Sequence, residues 1–322
     1  MKRLLSLTLC ILLALIALLV LSCTCMYSLQ PAADDAPAPS AALAAELRGS
    51  VEALCEQPRY GATLTHAQDY ITARLRAAGY TVRYQEFSNA EGTFRNIIAE
   101  RKGAEPGRYV VGAHYDACDC CDAPAENQGA DDNASACAVL LALADRLPKL
   151  PTPRHTLELV FYACEEPPWF ATEDMGSYAH AQTCTPQDTL GMICLEMLGC
   201  FSDAADSQPA LFPGHSLLLP TKGDFVAVVG NTDACSLART AQRHLRRHIR
   251  TLRLNVPLAD DTALYFSDHR NYAPRGIPAV MVTDTAFLRN DRYHEPTDTP
   301  DTLDYTKMAA VTEGLLELLK EF

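Results

Sequence analysis

The chain has 322 residues, is 48% hydrophobic and carries a formal net charge of −13, with a pI near 5.1. That is ample material for one packed domain. The acidic balance argues against a nucleic-acid or anionic-membrane surface as partner, because a phosphate backbone would be repelled.

Met1-Lys2-Arg3 precedes an uncharged apolar run over residues 4–21, which reads as an export signal or a membrane anchor. Ser22-Cys23 follows it and resembles the lipid-attachment site of a bacterial lipoprotein, so lipoprotein processing and an uncleaved signal anchor both stay open. The Pro/Ala/Asp stretch 30–40 reads as a flexible tether. The expected division is 1–22 signal peptide or anchor, 23–40 tether and 41–322 a single domain. That domain is expected outside the cytoplasm, in the cell envelope, meeting a membrane only through the N-terminal segment. Of thirteen cysteines, ten fall in the domain, and Cys118, Cys120 and Cys121 crowd one loop. With no second pair at zinc-ligand spacing, a loop disulfide or free thiols is the expectation there.

Apolar residues at helical spacing predict helices over 41–55 and 66–78, the second stopping at Gly79. Residues 80–87 alternate and 96–100 form a second short strand, together an antiparallel hairpin. A strand over 110–113 has no helix before it, which implies a mixed sheet. Then follow a helix over 136–147, a strand over 156–163 running into Cys164-Glu165-Glu166, a helix over 175–183 and a strand over 190–195 ending at Glu196. Two apolar strands, 225–229 and 279–282, are separated by a basic helix over 236–247. The last segment, 305–319, sets Val311, Leu315 and Leu318 on one helical face. The alternation predicts an α/β three-layer sandwich around a central mixed, mostly parallel sheet.

His114, Asp132, the pair Glu165-Glu166 and Glu196 all fall at strand ends or in the loops that follow them, and His294 sits in a further loop. That is the edge where open α/β folds place ligands. Carboxylates brought to one buried edge face a desolvation cost that a bound cation removes. Imidazole and carboxylate donors without thiolates suit zinc, with manganese or cobalt possible. The set exceeds what one catalytic zinc needs and fits two metals about 3.5 to 4 Å apart with one carboxylate bridging. Glu165 and Glu166, adjacent at a strand end, are expected to point opposite ways, so that one binds metal and the other stays free as a base. Asp116 is placed to orient the His114 imidazole.

Five ordered segments carry a resemblance: Gly112-Ala113-His114-Tyr115-Asp116, Gly129-Ala130-Asp131-Asp132-Asn133-Ala134-Ser135, Glu165-Glu166, Ser267-Asp268-His269, and Tyr293-His294-Glu295-Pro296-Thr297-Asp298-Thr299-Pro300. From about Ala41 onward the chain resembles the co-catalytic zinc aminopeptidase family, which also contains glutamate carboxypeptidases and glutaminyl cyclases. The resemblance implies that His114 and Glu196 hold one zinc, Glu166 and His294 the other, and that Asp132 bridges them. It further implies Glu165 as general base and the Tyr293 hydroxyl as oxyanion stabiliser. The chain departs from the family at Glu196, where many members have aspartate, at Ala136, where glycine is usual, and in the Cys118 to Cys121 insert.

Expected, then, is an exopeptidase of aminopeptidase type removing N-terminal residues from peptides. The alternatives are a glutaminyl cyclase, whose members carry tryptophan where Tyr293 stands, and a non-catalytic envelope binding module. Asp131 is expected as a solvated or helix-capping carboxylate. Asp268 and His269 either support the ligands or fix a loop, and Trp169 either floors the pocket or packs ordinarily. Residues 243–250 read as a solvated basic helix face, and residues 198–222 as a loop near the pocket.

Overall fold

The computed structural model describes residues 26–119, 127–209, 220–256 and 263–322. The signal or anchor segment, Cys120 and Cys121 lie outside these. No helix among the described residues is long and apolar enough to cross a membrane.

Nine strands make one sheet: β1 (Tyr27–Gln30), β2 (Val82–Asn89), β3 (Gly92–Arg101), β4 (Arg108–His114), β5 (Thr156–Tyr162), β6 (Thr189–Glu196), β7 (Phe225–Gly230), β8 (Arg250–Asn255) and β9 (Ala279–Thr283). They lie in the order β1-β8-β7-β9-β6-β4-β5-β3-β2. The central run β5-β4-β6-β9 is parallel, as is β7 with β8. The junctions β7–β9, β1–β8, β3–β5 and β2–β3 are antiparallel. This is the mixed α/β sheet that the sequence predicts, with the hairpin of β2 and β3 in place.

Two strands were not foreseen. Tyr27–Gln30, inside the expected tether, pairs with β8 as an edge strand, Leu29 opposite Leu252 and Tyr27 opposite Leu254. β8 itself follows directly from the basic helix, so Arg250 opens a strand and not a helix face; its guanidinium pairs with Asp224 at 2.8 Å.

Alternation along the strands gives the sheet two apolar faces. One carries Val111, Ala113, Leu159, Phe161, Ile193, Leu195, Val226, Val228, Val280 and Val282. It is covered by α1 (Ala41–Leu54), α2 (Leu64–Ala77), α3 (Ala136–Arg146), α5 (Cys235–Leu245) and α6 (Tyr305–Leu319), which share that core cluster. Ser40 caps α1 by accepting from the Leu43 amide, and Asp304 caps α6 by accepting from that of Lys307. Leu47, Val51, Leu54, Ile71 and Leu75 are wholly buried here, each contributing about 1.5–3 kcal/mol of transfer free energy. The other face bears Val110, Val160, Cys194, Ala227, Val229 and Met281. The short α4 (Gly176–Ala181) covers it beside β2 and β3, while the part made by β9, β7 and β8 borders a cavity.

Candidate metal and active site

The site forms on that second face, at the ends of β4 and β6 and in the loops beside them. His114 is the last residue of β4 and is 1% exposed. Its Nε2 lies 3.4 Å from Asp132 Oδ1, 3.4 Å from Glu196 Oε2 and 3.9 Å from Glu165 Oε2. His294 approaches from the opposite side, its Nε2 3.2 Å from Asp132 Oδ2 and 3.0 Å from Glu166 Oε2. The two oxygens of Asp132 thus face two different imidazoles, each accompanied by its own glutamate.

Local structure explains these placements. Glu196 ends β6, and Ser267 Oγ donates to its Oε2 at 2.5 Å. Asp132 lies in the turn Ala130–Ser135 ahead of α3. Three groups fix that turn. Asp298 accepts the amides of Asp131 and Asp132, and Asn133 bonds the main chain of Leu195 and Met197 on either side of Glu196. Arg59, 1% exposed, donates to the carbonyls of Tyr115, Gln128, Gly129 and Asp132. Gly129 has φ +54°, and a Cβ there would strike the Asp132 carbonyl and the Arg59 guanidinium, so only glycine serves.

Glu165 and Glu166 are not on a strand, which corrects the expectation of opposed side chains. β5 ends at Tyr162 and the chain turns at Cys164, φ 60°. Both glutamate amides then donate to Asp116 Oδ2, at 2.9 and 3.0 Å, and both carboxylates reach the His114 cluster. Asp116 Oδ1 faces His114 Nδ1 at 3.6 Å, so one aspartate positions the imidazole and the acid pair together.

The donor set fits divalent metal. His114, Asp132 and Glu196 offer ligand atoms within 4.8 Å of one another, as do His114, Glu165 and Glu166. Cys118 stands near Glu166 and His294 but is disulfide-bonded, so it offers no thiolate; the other seven cysteines among the described residues are free. Glu166 Oε1 is buried without a hydrogen-bond partner. Burial, then the Asp132 carboxylate, pushes Glu166 up to about 8. Burial likewise drives Glu165 well above the ordinary glutamate range, with Glu196 and Glu166 adding to it against the His114 charge. Burial also takes Asp268 to about 7. Asp132, despite burial, is held low by its hydrogen bonds with His114 and His294. Carboxylates packed this densely must either take up protons or face a cation.

Asp131 is neither solvated nor a cap: it is fully buried, accepting from the Gly199 amide and the Asn290 side chain, both at 2.8 Å. Its role is to tie the loop after β6 to the loop carrying His294. Asp268 is buried within the field of His114 and Glu196, while His269 turns away to the Leu264 carbonyl. Trp169 packs on the main core and borders a small separate hollow, so it does not floor the pocket. Arg243 on α5 and Arg247 in the turn after it are exposed, paired with Glu321 and Glu317. Gln208, Pro209 and Pro220 do line the cavity, from the loop expected there. Tyr293 lines it too, its ring stacked on His294 at 3.7 Å; burial and the surrounding carboxylates keep its hydroxyl protonated. Sequence reasoning assigned no role to Asp298, Arg59 or Ser267, which act on main chain or on a ligand from behind. Asp298 lay within a motif already singled out; Arg59 left no signal.

The carboxylates open onto a cavity of about 320 Å³ whose walls are predominantly apolar. Phe170, Phe266, Phe287 and Tyr293 line it as a succession of neighbouring rings.

Residues 96–319 match the model of peptidase family M28. The chain belongs to that family. It is 40% identical over 260 residues to the Escherichia coli (strain K12) protein YfbL, covering 80% of each chain. In fold it is similar to the glutaminyl cyclase of Porphyromonas gingivalis, with a TM-score of 0.67, 21% identity, and 90% of this chain and 99% of that one covered. It is also similar to a Zn-dependent exopeptidase from Parabacteroides distasonis, with a TM-score of 0.64, 18% identity, and 89% of this chain and 100% of that one covered. This M28 chain therefore has the peptidase fold together with residues able to hold metal.

Proposed function

We propose that this M28 protein is a zinc-dependent exopeptidase of aminopeptidase type, acting on peptides with an apolar N-terminal residue. The observation that carries the reading is the Asp132 carboxylate, with one oxygen toward His114 and the other toward His294. His114, Glu196 and Asp132 would hold one zinc, and Glu166, His294 and Asp132 the second. Bound zinc supplies Lewis-acid polarisation of the scissile carbonyl and a more acidic water.

Glu165, buried and raised in proton affinity, takes a proton from the attacking water and delivers it to the departing amine. Its backbone is fixed by Asp116, which keeps the carboxylate facing the cluster. Tyr293, kept as a neutral phenol, donates to the oxygen on which negative charge develops. The apolar cavity takes the N-terminal side chain.

A glutaminyl cyclase fold lies behind the second reading. Against it stand Tyr293 in the position of the cyclases' tryptophan and cavity walls that are predominantly apolar. The proposal keeps the exported location expected from residues 1–22.

The test is metal content and hydrolysis of aminoacyl anilides by the wild type and by Glu165→Gln. Two zinc ions per chain in both proteins are expected, with turnover in the variant reduced by about 10²- to 10⁴-fold. Cyclisation of an N-terminal glutaminyl peptide without anilide hydrolysis would reverse the assignment.

A further inference from the structure

The cavity floor is a register feature of the sheet. Glu196 on β6 is paired with Thr283 on β9, Thr283 with Ala227 on β7, and Ala227 with Leu252 on β8. All four line the cavity. A second row, Met281-Val229-Leu254, runs beside it and lines the cavity too. Neighbouring strands lie about 4.8 Å apart, so three spacings carry an apolar trough roughly 14 Å from the Glu196 position to Leu252.

Size and chemistry restrict what can lie there. An apolar cavity of about 150 Å³ already accepts benzene, so 320 Å³ exceeds the needs of any single amino-acid side chain. An extended peptide would bring N–H and C=O groups that each need a partner. Among the described residues, the polar side chains lining the cavity beyond the carboxylate cluster and Tyr293 are Gln208, Thr283 and Thr285. Gln208 Oε1 is already engaged, accepting from Arg289 at 2.9 Å and Thr285 at 3.1 Å. A polymethylene chain has no such groups to satisfy. Phe266 and Phe287, each 38% exposed, add apolar surface where the cavity meets solvent.

We propose that this site also hydrolyses N-acyl amides bearing a long unbranched acyl chain, the chain lying in the trough across β9, β7 and β8. The inference rests on the amide-hydrolase reading of the same carboxylate cluster. Water adds its oxygen to the acyl carbon, and the C–N bond breaks with its electron pair going to nitrogen. The proton that Glu165 takes from water ends on that nitrogen. The products are a fatty carboxylate and a free amine, and nothing else is consumed.

The experiment compares acetyl-, hexanoyl- and dodecanoyl-p-nitroanilide with leucyl-p-nitroanilide on the zinc-loaded protein, alongside calorimetric titration with dodecanoate. kcat/KM is expected to rise roughly tenfold for each added pair of buried methylenes until the trough is full. Ala227→Phe, which would block the trough between Thr283 and Leu252, is expected to lower the dodecanoyl-to-hexanoyl rate ratio at least about tenfold within one preparation and to abolish dodecanoate binding. Cleavage of the leucyl substrate alone, with no dodecanoate binding, would overturn this inference and leave the peptidase reading standing. Dodecanoate binding with no amide hydrolysed would overturn the hydrolase reading and the acyl-amide activity with it. A dodecanoyl-to-hexanoyl ratio unchanged by Ala227→Phe would refute the trough.

Discussion

Asp298 sits behind Asp132 and accepts its main-chain N–H at 3.1 Å, while the same carboxylate takes the amide of Asp131 at 3.0 Å. The residue that faces both imidazoles is therefore held from the rear by a second aspartate. Asp298→Ala would leave two buried amides unpartnered. We expect a stability loss of about 2–4 kcal/mol and weaker metal binding, measurable by denaturant unfolding with and without zinc. A variant with wild-type metal affinity would show that the turn needs no such clamp.

Ser267 holds only one of the glutamates, Glu196. Removing an outer hydrogen-bond partner of a metal ligand typically weakens binding about 10- to 100-fold. Ser267→Ala should therefore cost affinity at one of the two proposed zinc sites, seen as a split in a competitive chelator titration. Equal weakening of both ions, or of neither, would contradict the assignment of Glu196 to a single site.

Proton uptake by the metal-free cluster sets a pH dependence. Glu166 is raised from 4.5 to about 8 and Asp268 from 3.8 to about 7, burial being the largest cause in both. A carboxyl group raised on folding stabilises the protein below its unfolded value and loses that contribution as pH climbs through the folded one. His294 is raised from 6.5 to about 10, the Asp132 and Glu166 carboxylates outweighing burial, and it loses its contribution over that interval, in the same direction. The metal-free protein should lose thermal stability as pH rises from about 5 to about 9. Zinc, by compensating the ionised carboxylates, should raise Tm more at high pH than at low. Calorimetry showing the larger zinc effect at the acid end would reject this account.

Arg59 donates to four main-chain carbonyls from a fully buried position. Arg59→Met keeps the aliphatic bulk and removes the donors, and should destabilise by about 3 kcal/mol. The loss should be accompanied by faster amide exchange between Gly129 and Ser135; protection unchanged there would mean that Asp298 and Asn133 hold the turn without Arg59.

The residues that meet at the site were legible because His114 and Glu196 each end an apolar strand and Asp132 immediately precedes an apolar helix, patterns set by local periodicity. Of what supports them, Asp116 was legible two residues after His114, whereas Asp298 and Arg59 were not, since they bind main chain across long sequence separations and leave no spacing. β8 escaped because Arg250-Thr251-Leu252-Arg253 extends a basic helical run; its Arg253 is nonetheless buried, donating to Gln242 and Asn255. β1 was hidden because its partner strand lies more than two hundred residues further along the chain. The turn at Cys164 overrode strand alternation for Glu165 and Glu166, because a positive φ is a tertiary outcome that no residue type announces there.

β7 presents Phe225, Ala227 and Val229 to the cavity side and Val226 and Val228 to the helices. Both sets are apolar, so a one-residue slip of this strand would satisfy the hydrophobic core almost as well as the native pairing. The cavity would not be satisfied, for valines would replace Ala227 and its neighbours along the floor. Parity, not hydrophobicity, thus sets the width available to a ligand. Substitutions at odd-numbered positions of this strand can reshape what the cavity accepts, while those at even-numbered positions are answerable to folding alone.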